Sequence, residues 1–218
     1  MRNNNLSKSS KIISLVDDLP YFNLTNLLGI EKNKSYLKIL LSRYSKSGKI
    51  IRLKKGFYVT KKYINEIQMK GIFSDYQEFI ANIIYEPSYL SLDYILYKNN
   101  LMSEIPNNFT LVSKNKTAVF SNDFGNYFYH KITSKLYRGF EINSDNCYNI
   151  NRASKSKALF DYLYLRKNQI TDYDSFIELR LNLDNLFKKD LNEIKKYVDI
   201  EGSKKMKIIF GLLKEKNA

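Results

Sequence analysis

The sequence contains one cysteine and one histidine among 218 residues. A single cysteine excludes an intramolecular disulfide, and one cysteine with one histidine cannot supply the usual ligands of a zinc site. Three prolines and eight glycines argue against long flexible linkers. No stretch approaches about eighteen consecutive apolar residues, so we expect no membrane-spanning helix and no membrane partner.

Few residue types remain that could support catalysis. His130 lies in a predicted strand, where a structural role is commoner than a catalytic one, and Cys147 beside Tyr148 is expected to be a small buried hydrophobic residue. Asp172 and Asp174 resemble a magnesium-binding pair, but Asp172 stands where a helix cap is expected, and no phosphate-binding turn precedes it. No P-loop and no GxGxxG motif occurs. We therefore expect no enzyme activity, cofactor or metal.

Positive charge is in excess and unevenly distributed. The net charge is +14, and residues 1–70 hold 15 basic and 4 acidic residues, whereas residues 71–218 hold 21 and 18. A generally basic surface would spread this excess along the chain. Its concentration favours a nucleic-acid-binding module joined to a nearly neutral second domain.

The N-terminal third has the pattern of a winged helix-turn-helix. Apolar spacing predicts helices over residues 8–18, 24–28 and 34–47, followed by a hairpin of residues 49–53 and 57–61. Gly29 is expected to end the second helix with a left-handed exit, Gly48 to be the C′ glycine of the third helix, and Gly56 to take a positive φ in the hairpin turn. In such a motif the third helix enters the major groove with its positive N-terminal end, and the hairpin contacts phosphates.

Candidate DNA contacts follow from this arrangement. Lys and Asn can bond base edges, and Ser, Lys and Arg can hold phosphates. The predicted DNA-binding residues lie at the start of the third helix, further along it and in the hairpin: Lys32, Asn33, Lys34, Ser35, Lys38, Arg43, Arg52, Lys54 and Lys55. Double-stranded RNA is disfavoured, because its major groove is too narrow for a helix. A helical bundle with solvated lysines, or a protein-docking surface, remains the alternative.

The remaining chain predicts a second, α+β domain. A linking helix covers residues 75–84, and Pro87 marks a boundary between domains 1–85 and 86–218. The second domain is expected to contain a small antiparallel sheet and several helices. A helix is predicted over residues 89–99, strands over 109–113, 117–121, 126–132, 138–142 and 147–151, and further helices over 154–166, 173–182, 190–198 and 204–214.

Five segments, in this order, are similar to segments of a known family: Lys46–Val59, Pro87–Tyr94, Phe124–His130, Tyr137–Glu141 and Ala153–Tyr164. The family is that of the AbiEi-type antitoxins of abortive-infection type IV toxin–antitoxin systems. The resemblance covers roughly residues 7–166, and the last fifty or so residues carry no similar motif.

The resemblance implies a bacterial phage-defence antitoxin with two activities. The N-terminal domain would bind inverted repeats in its own promoter and repress the operon. The C-terminal domain would neutralise a cognate nucleotidyltransferase-like toxin, with or without a stable complex. Lys157 and Asp161 are the polar positions that best match the family's motif in this domain, although a Lys–Asp pair four residues apart can equally stabilise a helix.

Two expectations complete the prediction. The polar segment Met1–Ser7 is not followed by an apolar segment, so we expect no signal peptide and a cytoplasmic protein. The alternative function is a stand-alone transcriptional regulator whose C-terminal domain dimerises or binds an effector. A nucleotidyltransferase-like reading frame in the same operon would favour the antitoxin.

Overall fold

The computed structural model describes residues 8–217, and its fold class is α+β, as predicted. The chain divides into two compact units. The N-terminal unit extends through Ile80 and includes Ser121–Phe124, which are the last two residues of a strand and the turn after it, and the C-terminal unit contains the rest. The division after Ile80 falls inside the predicted linking helix.

The N-terminal unit follows the predicted order of helices and hairpin, with one added short strand and one added helix. Its elements are α1 (Lys8–Ser14), β1 (Phe22–Asn23), α2 (Leu24–Leu27), α3 (Lys34–Lys46), β2 (Ile50–Lys54), β3 (Phe57–Thr60), α4 (Lys61–Met69) and the first part of α5 (Phe73–Ile84). Asparagines begin α2 and α3: the Asn23 side chain accepts the N–H groups of Thr25 and Asn26, and Asn33 accepts that of Tyr36. Such caps satisfy N–H groups that a helix leaves unpaired.

The three strands of this unit form an antiparallel sheet in the order β1-β3-β2. The β2–β3 register shifts between Arg52 and Lys54. Gly48 and Gly56 have positive φ values of 70° and 86°, which confirms their predicted roles. Gly29 does not, so the prediction of a left-handed exit there is wrong.

One face of α3 belongs to the core of the N-terminal unit. Leu37, Leu40 and Leu41 are buried with residues of α1, β1, α2 and β2, among them Phe22 and Ile50. Burying these leucines fixes the orientation of α3 about its own axis. Its polar residues therefore face solvent.

The C-terminal unit is built on a larger sheet than predicted. Its strands are β4 (Ser88–Leu90), β5 (Phe109–Ser113), β6 (Ala118–Asn122), β7 (Gly125–Lys131), β8 (Phe140–Asp145) and β9 (Tyr148–Ala153), and its helices are the end of α5, α6 (Leu92–Lys98), α7 (Lys155–Arg166), α8 (Tyr173–Ile177), α9 (Lys188–Glu201) and α10 (Lys204–Lys216). A 3-10 turn, Ser134–Leu136, precedes β8.

The six strands form a mixed sheet in the order β6-β7-β5-β4-β9-β8. The β5–β7 and β4–β9 pairs are parallel, and β4–β5 and β8–β9 are antiparallel. The prediction of a small antiparallel sheet in this unit is therefore wrong. The main error of the prediction is the single helix over residues 89–99. The structure has a strand at Ser88–Leu90, which lies between β5 and β9 in the sheet, and the helix begins only at Leu92.

Helix α7 occupies the core of the C-terminal unit. Its residues 156–163 are all buried, and it contacts α6, α9 and β9. Two of these eight residues, Lys157 and Asp161, are charged, and both are fully buried. Helix α8 ends at Ile177, five residues earlier than predicted, and Arg180 shortly after it has a positive φ.

Candidate functional site

A basic cleft of about 450 Å³ lies on the N-terminal unit and is lined by α3, the β2–β3 hairpin and Leu24 of α2. Lys38 and Lys46 of α3 and Arg52 and Lys55 of the hairpin are the four cations of its lining, and all four are exposed. Ser42, Ser45 and Tyr58 add hydroxyl groups. We call this feature the basic cleft.

Within residues 8–217, no carboxylate pairs with any of these four cations. Acidic residues of the same unit gather instead around Lys62. Its ammonium group lies 3.6 Å from Asp17, 4.0 Å from Asp18 and 3.9 Å from Glu66. The positive charge of the basic cleft is therefore left uncompensated, which favours an anionic ligand.

The structure brings three of the nine predicted DNA-binding residues together in the cleft: Lys38, Arg52 and Lys55. Another four are exposed but do not line it: Lys32, Lys34, Ser35 and Arg43. The sequence prediction did not include Lys46, which also lines the cleft. Its position one turn beyond Ser42 on the exposed face was the available signal.

The other two predicted residues have local partners. The Asn33 side-chain oxygen accepts the N–H of Tyr36 at 3.0 Å, so it caps α3, and its own N–H donates to Glu31 at 2.8 Å. The Lys54 ammonium lies over the ring of Phe57, 4.0 Å from its centroid. Lys54 and Lys55 are thus neighbours in sequence with different surroundings.

In the C-terminal unit, Lys157 and Asp161 form an ion pair in which both side chains are completely buried. Lys157 Nζ contacts one carboxylate oxygen of Asp161. The other oxygen accepts hydrogen bonds from the hydroxyl groups of Tyr89 and Ser91, both at 2.9 Å. Each oxygen of the buried carboxylate therefore has a donor, as burial of a charge requires.

Aromatic rings enclose the ammonium group of Lys157. Its Nζ lies 5.6 Å from the centroid of Tyr89, 5.0 Å from that of Phe160 and 5.3 Å from that of Tyr197. Ring faces carry negative electrostatic potential, so they stabilise a cation that has left water. Phe140 stacks on Tyr89 with centroids 4.8 Å apart and extends the enclosure.

Gly139 provides the close approach that completes this enclosure. A Cβ atom there would lie 2.1 Å from the hydroxyl oxygen of Tyr197 and 3.1 Å from Cδ of Lys157. The glycine also has a φ of 76°. Both observations require the absence of a side chain.

Three of the five segments singled out in the sequence meet at this buried pair. Pro87–Tyr94 supplies Tyr89 and Ser91, Tyr137–Glu141 supplies Gly139 and Phe140, and Ala153–Tyr164 supplies the pair itself and Phe160. The two charged side chains are closed to solvent, so neither contributes to a binding surface in this conformation. Their contacts hold the three segments together.

Burial governs the pKa values around the pair. It raises the pKa of Asp161 and lowers that of Lys157, and in each case the charge of the partner opposes the shift. Burial, followed by the carboxylate of Asp161, raises the pKa of Tyr89. Burial also raises the pKa of Tyr137 to about 12. Both tyrosines therefore keep their hydroxyl protons near neutral pH.

The residues considered for catalysis lie in different parts of the C-terminal unit. Asp172 accepts the N–H of Ser175 at 2.9 Å and caps α8, as predicted. Cys147 is exposed in a turn with a φ of 72°, so the prediction of a buried strand residue is wrong. Burial, and then the charge of Arg166, lowers the pKa of His130 on β7. Among the described residues, no three His, Cys, Asp or Glu side chains are grouped to bind a metal.

No protein-family model matches the chain, and no curated protein matches it. The helices of residues 8–217 include none that is both long and apolar enough to cross a membrane.

Proposed function

We propose that this chain is a DNA-binding antitoxin of a bacterial type IV system that represses its own operon. The observation that carries the DNA-binding part is the basic cleft, where Lys38, Lys46, Arg52 and Lys55 converge without carboxylate partners in the described chain. DNA presents a dense array of phosphates, and neutralising them with lysine and arginine releases condensed counterions.

The order of elements supports a winged helix as the DNA-binding fold. Helices α2 and α3 follow one another through a short connection, and the β2–β3 hairpin comes directly after α3. In a helix-turn-helix the second helix lies in the major groove. In this proposal α3 occupies the groove, and Arg52 and Lys55 of the hairpin hold the flanking backbone. Inverted repeats in the promoter would engage two copies.

The antitoxin part is supported by the C-terminal unit. The segments that resemble the family lie far apart in sequence, yet three of them surround a single buried ion pair. The segments on which the resemblance depends are therefore parts of one packed arrangement, which supports treating them as a single feature. We propose that this unit neutralises a cognate nucleotidyltransferase-like toxin in the cytoplasm and has no enzyme activity or cofactor of its own.

Salt dependence of binding tests the DNA-binding surface. Fluorescence anisotropy with the chain's upstream DNA, across a salt series, gives the slope of log K against log salt concentration. Replacing Lys38, Arg52 or Lys55 by alanine should reduce the steepness by about 0.9 for each phosphate that is no longer neutralised. Lys62→Ala is the matched control in the same unit, because the carboxylates of Asp17, Asp18 and Glu66 already surround the Lys62 ammonium group and Lys62 does not line the cleft. An unchanged slope in all three cleft variants would contradict the proposed surface.

Co-expression tests the antitoxin. The full-length chain should restore the growth of cells that express the nucleotidyltransferase-like protein encoded beside it. If the chain is well expressed but does not restore growth, the antitoxin proposal is wrong. Salt-dependent DNA binding in that case would favour a stand-alone transcriptional regulator.

A further inference from the structure

Ile39 is an aliphatic residue on the exposed face of α3, and 54% of its surface is accessible. Its neighbours Lys38 and Arg43 are exposed and charged, and Ser42 is exposed and polar. The leucines of α3 are buried in the core of the N-terminal unit: Leu37, Leu40 and Leu41. Ile39 therefore lies outside the buried face that packs α3 into the core of its own unit.

The position of Ile39 around the helix places it beside the side chains that would face a groove. Successive residues of an α-helix are about 100° apart, so Lys38 and Ile39 lie about 100° apart, and Ser35, Ser42 and Lys46 lie between them. The exposed face thus carries two small hydroxyl side chains and the two lysines of the basic cleft. The branched aliphatic side chain of Ile39 flanks them on the side away from Lys38.

We propose that Ile39 is a specificity-determining residue that contacts the C5 methyl group of a thymine in the major groove. This inference rests on the proposed DNA-binding function of α3. The thymine methyl group is the apolar feature that the major groove presents, and aliphatic side chains contact it. Lysine and serine at the neighbouring positions can bond phosphates or the base-edge acceptors of several bases, whereas the Ile39 side chain has no polar atom to satisfy. Its contact therefore discriminates in favour of a T·A or A·T pair.

Replacement of thymine by deoxyuridine tests this contact directly, because deoxyuridine lacks only the methyl group and pairs in the same way. Full-length protein would first select a duplex from a pool with a random centre of about 20 base pairs, enough for two half-sites one helical turn apart. Each thymine of the selected duplex would then be replaced in turn by deoxyuridine. At one position of each half-site, the wild-type protein should bind about fourfold more weakly, the effect expected for one buried methyl group.

The Ile39→Ala variant loses this contact in both half-sites, so it should bind the thymine duplex about sixteenfold more weakly, and it should no longer respond to deoxyuridine at either position. Ile30→Ala is the matched control, since Ile30 is 45% exposed in the same unit but lies outside α3. It should keep the full response to deoxyuridine. The thermal midpoints of both variants show whether either substitution unfolds the unit.

Two results would overturn the inference. One is a selected duplex in which no thymine position responds to deoxyuridine, and the other is an equal response in wild-type protein and in Ile39→Ala. If either occurs while the salt slope remains steep, the DNA-binding function stands and only the thymine contact fails. Absence of any salt-dependent binding to duplex DNA would contradict both.

Discussion

Lys157 and Asp161 are fully buried charges in the core of the C-terminal unit. Taking two ions out of water costs several kcal/mol for each, and their attraction compensates only when hydrogen bonds satisfy the remaining groups. Tyr89 and Ser91 provide those bonds to Asp161, and ring faces surround Lys157. The two charges are therefore stabilised only together. Removal of one of them leaves the other buried and uncompensated, which costs more free energy than the intact pair contributes.

A double-mutant cycle measures this coupling. Lys157→Met should destabilise the protein by about 3–5 kcal/mol, because it leaves the buried carboxylate without its cation. Asp161→Leu should cost a similar amount, because the ammonium group and two hydroxyl groups lose their acceptor. The double variant should be less destabilised than the sum by more than about 1 kcal/mol. Urea unfolding gives the three values, and strictly additive effects would show that the pair is not coupled.

His130 determines a separate dependence on pH. It is the one histidine of the sequence, and burial lowers its pKa from the ordinary value near 6.5. Above that value the side chain is neutral in both the folded and the unfolded chain. As the pH falls below about 6.5, the unfolded chain takes up the proton first, so stability decreases.

His130→Gln should flatten the stability profile between about pH 7 and 5.5, the range in which an unperturbed histidine takes up its proton. The difference in stability between wild type and variant should change over this range by no more than about 1.4 kcal/mol per pH unit, the limit for one proton. Asp161, whose pKa is raised by burial, is present in both proteins, so its contribution cancels in this difference. Urea unfolding at each pH measures the effect. An equal decrease in wild type and variant would assign it to other groups.

At the scale of elements, the approach of the segment before β8 to helices α7 and α9 depends on Gly139. A methyl group there would overlap the hydroxyl of Tyr197, which donates a hydrogen bond to Glu193 at 2.8 Å, and would press on Lys157. The positive φ adds backbone strain for any residue with a Cβ atom. A single glycine thus sets the spacing between the sheet edge and two helices.

Gly139→Ala should be more destabilising than Gly202→Ala by about 1–3 kcal/mol, the usual cost of overpacking. Gly202 is the matched control in the same unit, since its φ is 86° and the nearest atom to its added Cβ would be 3.9 Å away. Both variants carry backbone strain, but Gly139→Ala alone adds the overlap. Thermal or urea unfolding of both variants measures the difference. Equal destabilisation would indicate that Tyr197 moves aside at little cost.

The same elements show what sequence patterns can predict. Strand β5 covers the predicted residues 109–113, because turn residues flank a short run of strand-forming side chains on both sides. Helix α3 begins at the predicted Lys34, because leucines at helical spacing follow it. Strand β4 escapes prediction because its three residues are all buried, and three residues carry neither alternation nor a helical period.

The candidate site could be predicted only in part for a similar reason. The sequence predicted the basic helix and hairpin, but the lining of the cleft depends on which side chains lie near each other after folding. Lys46 lines the cleft, whereas the Lys54 ammonium group lies over the ring of Phe57. The hydrogen bond between Tyr89 and Asp161 joins residues 72 positions apart. No local pattern contains that contact, although the segments that form it are separately recognisable.

At the scale of the whole molecule, the two proposed activities belong to different compact units. The basic cleft lies in the N-terminal unit, and the buried pair with its three segments lies in the C-terminal unit. Substitutions confined to the cleft should therefore abolish repression without abolishing toxin neutralisation. This expectation separates the antitoxin from a regulator whose activity depends on DNA alone.

The full-length variant with Lys38→Glu, Arg52→Glu and Lys55→Glu should lose binding to its upstream DNA and relieve repression of a promoter reporter. It should still rescue growth in co-expression with the toxin. The control variant has glutamate at three exposed lysines of the C-terminal unit, Lys189, Lys196 and Lys207, so it lowers the net charge by the same amount. It should keep repression, because the basic cleft is unchanged. If the cleft variant is expressed as well as wild type but fails to rescue growth, neutralisation requires the DNA-binding surface, and the division of activities between the units is wrong.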